Sequence, residues 1–91
     1  MIDISIDLEA QAAYVQMSRG EYSRMIEIDE SINVDLASDG TVRGVEFLYF
    51  GNLDLTRESL VSRKVVENAH VIEAILEAQE LLITKLSTSS L

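Results

Sequence analysis

The sequence predicts an α+β domain: an antiparallel β-meander of about five strands over residues 2–50, followed by one long C-terminal amphipathic helix over residues 56–86. Three observations predict it. Apolar and polar residues alternate at period two through the first half, the signature of strands with one buried face. Asp39-Gly40 sits between two alternating runs, the strongest short-range hairpin signal a sequence carries. From Leu55 onward the apolar spacing changes to threes and fours, with no Pro or Gly to interrupt it.

The first strand reads Ile2, Ile4, Ile6 and Leu8 on one side and Asp3, Ser5 and Asp7 on the other. Glu9-Ala10-Gln11 turns into a second strand, Ala12 to Met17. Ser18-Arg19-Gly20-Glu21 forms the next turn, with Gly20 free to take positive φ. Tyr22 to Ile28 is the third strand, and Ile32, Val34 and Leu36 mark the fourth. In the fifth, Val42 to about Tyr49, the alternation falters at Arg43-Gly44. Val42, Val45 and Phe47 require the same side, so a β-bulge is expected at Gly44.

Thr56 is placed to cap a helix, Glu58 sits near its positive end, and Leu55 and Leu60 have the spacing of a hydrophobic staple. A continuous helix to Leu86, with Ser87–Leu91 as a frayed tail, spans roughly 45 Å, whereas a strand spans about 17–20 Å. Its apolar face would overhang a sheet built from this chain alone. Val61, Val65, Ile72, Ile75, Leu76, Leu82, Ile83 and Leu86 form that face, with Asn68 and Gln79 set into it. Polar residues inside an interhelical seam fix register and partner number; at the margin of a sheet-packing helix they are simply solvated. The expected assembly is a homodimer or higher homo-oligomer joined through these ten residues.

Ninety-one residues accommodate one domain with a thin core, and the absence of Cys removes disulfides and thiolate metal sites. The formal charge of −9 is uneven: residues 1–55 hold 11 acidic and 3 basic side chains, residues 56–91 hold 5 and 4. Such a surface repels phosphate backbones and suits a basic protein partner, so nucleic acid is not an expected ligand. The acid–isoleucine alternation at the N-terminus lacks the pattern of a secretion signal, and no apolar run reaches membrane-spanning length. A cytoplasmic protein without a membrane partner is expected.

Chemistry-bearing residues are sparse. Asp35 with Asp39-Gly40 resembles a fragment of a calcium loop without its full ligand pattern, and a hairpin turn accounts for it. Asp3, Asp7, Glu27, Asp29, Asp35 and Glu46 could supply an acid–base pair only if burial separated their pKa values; alternation places most of them in solvent. Glu46 follows the phase break, which leaves its direction open. His70, the single histidine, has Glu67 and Glu73 as helix neighbours and reads as a solvated face residue. No nucleophile elbow or phosphate loop is present. The expectation is a non-enzymatic interaction module without a cofactor or resident metal. The rival is a small enzyme or ligand- or metal-binding domain, with acidic residues near the junction of sheet and helix and Glu46 converging on Asp35 or Tyr14.

Two segments carry a family resemblance. Ile6-Asp7-Leu8-Glu9-Ala10-Gln11-Ala12-Ala13-Tyr14-Val15 is similar to a Tyr-Asp-x-x-x-Asp-x-Leu-Tyr-Ile pattern, departing from it at Gln11 and Ala13. Val34-Asp35-Leu36-Ala37-Ser38-Asp39-Gly40-Thr41-Val42-Arg43-Gly44-Val45-Glu46-Phe47-Leu48 follows Val-Asp-x-x-x-Asp-Gly-x-Val-x-Gly-Ile-Glu-Ile-Leu. The first fifty residues thus resemble the small bacterial and phage domain family of unknown function called YuzE-like. The resemblance implies the sheet, carries no catalytic residues, and points to an antitoxin-like or accessory partner role.

Overall fold

A computed structural model describes residues 2–62 and 69–89. Five strands, β1 (Asp3–Asp7), β2 (Ala12–Gln16), β3 (Tyr22–Asp29), β4 (Ile32–Ala37) and β5 (Val42–Phe47), precede helices α1 (Arg57–Val61) and α2 (Ala69–Ser89). The strands pair antiparallel throughout, so the fold is the expected α+β sheet followed by a C-terminal helix.

The order across the sheet is β1-β2-β5-β4-β3, which departs from a plain meander. Sequential strands usually pair, but burial decides otherwise here. The most apolar strands, β2, β5 and β4, take the centre. Acid-rich β1 and largely exposed β3, with Arg24 and Glu27, lie at the edges, where charge blunts unpaired backbone. Residues 17–21 therefore cross the ends of β5 and β4. Arg43 O accepts from the backbone N–H of Met17 (2.8 Å) and Ser18 (3.2 Å), and Ser38 N donates to Glu21 O (3.0 Å). Gly20 does not adopt positive φ; it gives the crossing room, because a Cβ there would stand 2.6 Å from the Cβ of Ala37.

Local chemistry sets the turns. Gly40 takes φ 90° and donates to Ala37 O, while Asp39 Oδ1 accepts from Thr41 N (3.0 Å) and Thr41 Oγ1 (2.7 Å). The glycine-free β1–β2 turn relies on Gln11 at φ 55°, with Ala10 N donating to Asp7 Oδ1. The expected bulge is present: Asp35 pairs with Gly44 and Leu36 with Val42, leaving Arg43 as the extra residue. Val42, Val45 and Phe47 consequently share the buried face.

The single helix expected over 56–86 is corrected to two. Thr56 caps α1 in a reciprocal box with Ser59, and α1 ends at Val61. Arg57 and Glu73 form an ion pair, although a continuous helix would hold them about 24 Å apart. The chain reverses instead, so that Leu60 and the α2 stripe Val71, Ile72, Ile75, Ala78 and Leu82 enter one core with the sheet. α2 lies across β5 and β2, with α1 beside it. Doubling back buries apolar surface that a straight helix would have left hanging.

Candidate interaction face

The registers place the polar half of each strand on the face away from the helices. One row runs Ser5, Tyr14, Glu46, Asn33, Glu27 across β1, β2, β5, β4 and β3; the next runs Asp3, Gln16, Gly44, Asp35, Met25. The bulge thus resolves the direction of Glu46: it faces outward, between Tyr14 and Asn33.

Two hydrogen bonds knit this face. Tyr14 Oη donates to Asp35 Oδ2 at 3.0 Å, reaching from β2 over β5 to β4. The phenol lies across Gly44, where a Cβ would collide with its ring. Burial, then the bond to Asp35 and its charge, push the Tyr14 pKa up to about 12, while the Arg43 guanidinium beside it pulls the other way. Tyr14 is therefore a protonated donor at neutral pH. Asn33 Nδ2 donates to Glu46 Oε1 at 3.1 Å. Asn33 is 9% exposed, and its Oδ1 is buried without a hydrogen-bond partner. Beside these pairs Ser5, Asp7, Tyr14 and Glu46 line a shallow depression of about 270 Å³.

The acids foreseen from sequence divide. Asp3, Asp7, Glu27, Asp35 and Glu46 share the outer face, opposite the helices and not at the sheet–helix junction. Glu46 does neighbour Tyr14, and Tyr14 binds Asp35, so those three groups meet. Asp29 instead accepts from Ser31 N (2.7 Å) and Ser31 Oγ (2.9 Å) within the β3–β4 turn. Asp39, held below the usual carboxylate range by the Thr41 hydroxyl, belongs to its hairpin and does not join Asp35. Among the described residues no group of three or more His, Cys, Asp or Glu is placed to hold a metal. His70 is exposed, yet its Nε2–H donates to Gly40 O at 3.0 Å, tying the start of α2 to the β4–β5 turn.

The residues expected at a helical interface are also distributed. Ile72, Ile75, Gln79 and Leu82 are buried inside the chain's own fold. Leu76 and Leu86 are half-buried, and Val61 and Ile83 are each 40% exposed. Val65 and Asn68 lie outside the described residues. Gln79 neither faces a partner helix nor sits in solvent: its Oε1 accepts from Leu55 N (2.9 Å) and its Nε2 donates to Leu55 O (3.1 Å). A side-chain amide thus mimics a strand neighbour for the segment leading into α1.

Sequence reasoning read Gly44 as a bulge marker and missed its second use, a close approach by Tyr14. A glycine in a strand signals either, and here it serves both. Asn33 was missed altogether, because alternation makes it one more solvated residue. No helix among the described residues is long and apolar enough to cross a membrane.

Neither the curated proteins nor the solved structures offer a match to the chain. A family model described as "Protein of unknown function (DUF2283)" matches residues 3–50, which is the whole sheet, including both segments that carry the resemblance and the rows containing Tyr14, Asp35, Gly44 and Glu46. With more than half its length matched, the chain belongs to the DUF2283 family of proteins of unknown function.

Proposed function

We propose that this domain is a non-enzymatic protein-interaction module whose outer sheet face receives a basic partner protein, in an antitoxin-like or accessory role. The observation that carries the reading is the gathering of Asp3, Asp7, Glu27, Asp35 and Glu46 on one uncovered face of the sheet. A predominantly acidic surface steers a basic partner and disfavours nucleic acid. Tyr14, kept protonated, serves as a hydrogen-bond donor there and is a poor proton acceptor, which favours binding over acid–base chemistry. A second copy of the chain is not required, since the apolar stripe of α2 already covers the domain's own core. A homodimer would use apolar groups that the fold leaves outside, among them Leu8, Tyr22 and Tyr49 of the sheet half and Val61 and Ile83 of the helices.

The test is association of the full chain with a labelled lysine-rich peptide, followed by fluorescence anisotropy over rising salt. Affinity should fall severalfold between low and physiological ionic strength, and neutralising Asp7 and Glu27 together should weaken it further. Binding indifferent to salt and to those substitutions would remove the acidic face from consideration.

A further inference from the structure

The two ends of the outer face are not equivalent. At the Asp35 end the charge is answered from within: Tyr14 donates to Asp35, and Arg43 stands beside the phenol with its Nε donating to Gly20 O at 3.1 Å. At the Glu46 end it is not. Glu46 accepts from Asn33 Nδ2, a neutral donor, which engages one carboxylate oxygen. The opposite end of the same amide, Asn33 Oδ1, is buried and lacks a donor. A buried acceptor left without a donor loses its solvation with nothing in exchange, so it calls for an explanation. The missing element at this end is a group rich in N–H donors and positively charged.

We propose that the Glu46 end of the outer face, with Tyr14 on one side and Asn33 on the other, is a seat for an arginine side chain of the partner protein. The proposal rests on the acidic-face reading above and names the chemistry that face recognises. A guanidinium carries five N–H donors in a planar fork, enough to meet the Glu46 carboxylate and Asn33 Oδ1 together. Its plane can stack on the Tyr14 ring, which is flattened against the sheet over Gly44. An ammonium offers a compact point charge that stacks less well and cannot fork between two acceptors. Asn33 is covered by its neighbours, so the guest reaches its oxygen as the half-exposed Glu46 side chain shifts aside. The depression lined by Ser5, Asp7, Tyr14 and Glu46 leaves room for that movement.

The experiment compares an arginine-rich with a lysine-rich peptide of equal length and charge, titrated into the unmodified chain, Glu46→Gln and Asp3→Asn, with circular dichroism confirming the fold. The arginine-rich peptide should bind about tenfold tighter, between the sizes of an exposed and a fully desolvated cation–π contact. Glu46→Gln should erase that preference, while Asp3→Asn should lower both affinities by a similar small factor. In the unmodified protein the Asn33 side-chain amide resonances should shift with the arginine-rich peptide and stay nearly still with the other. Equal, salt-sensitive binding of both peptides would overturn the arginine seat and leave the acidic face standing. Binding of neither peptide would overturn both.

Discussion

Tyr14 and Asp35 belong to strands that never touch, yet the phenol donates to the carboxylate at 3.0 Å because β5 presents only Gly44 between them. A glycine in the middle of a sheet, a tyrosine two strands from its acceptor and an outward aspartate form one device. Each is unremarkable alone.

Gly44→Ala should therefore act through Tyr14. The added methyl meets the ring, and displacing the phenol should cost about 1–3 kcal/mol, as overpacking does. Urea denaturation of Gly44→Ala, Tyr14→Ala and the double variant checks it. The alanine at 44 should cost much less once the ring is gone; strict additivity would mean that the two residues do not conflict.

The same bond has a pH signature. The folded-state pKa of Tyr14 is raised from 10.0 to about 12, so its contribution to stability is complete below pH 10.0 and fades as pH rises toward about 12. Stability measured across that alkaline window should decline less steeply in Tyr14→Phe than in the unmodified chain. Parallel slopes for the two would show that Tyr14 titrates in the fold as it does when unfolded.

Gln79 should matter more than an average polar helix residue. Gln79→Ala strips both backbone groups of Leu55 of their partner, an expected loss of about 1–3 kcal/mol. Hydrogen exchange at the Leu55 amide should accelerate along with it. Protection retained at Leu55 in the alanine variant would show that another group supports that segment.

Leu82 and Ile83 are adjacent and should behave oppositely. Leu82 is fully buried, so Leu82→Ala should cost about 2–5 kcal/mol. Ile83 is 40% exposed, and Ile83→Thr should change stability by less than about 0.5 kcal/mol. Thermal melts and sedimentation together decide the matter. Were Leu82→Ala to change the mass of the particle and leave the melt unmoved, Leu82 would belong to a contact between copies of the chain and not to its own core.

How much was legible follows from how local each feature is. Alternation marks the five strands, Asp39-Gly40 the hairpin, the clash of phase at Arg43-Gly44 the bulge and Thr56 the helix start. All are decided within a few residues. The insertion of β5 between β2 and β4 is not local; it depends on which strands compete best for the buried centre. Nor is the reversal between α1 and α2, because the apolar spacing on either side is in phase and gives no warning of a bend. The outer face needs both sheet order and register before Tyr14, Glu46 and Asn33 fall into one row. Gly20 illustrates the limit: its place in a turn suggests positive φ, which it does not adopt, and what it supplies is room beside Ala37, a neighbour that only the crossing brings.

That crossing over 17–21 also governs how the chain must assemble. The β1–β2 hairpin and the β3–β4 hairpin can each form early from neighbours in sequence, but nothing joins them until β5 arrives. As the protein emerges from a ribosome, the flank of β2 and that of β4 stay open until residue 47 is available. Seating β5 between β2 and β4 is the step that joins the two hairpins, and its β2 contacts are the most distant in sequence within the sheet. A chain stopped short of Val42 would carry two further open edges, those of β2 and β4, suited to pairing with the wrong molecule.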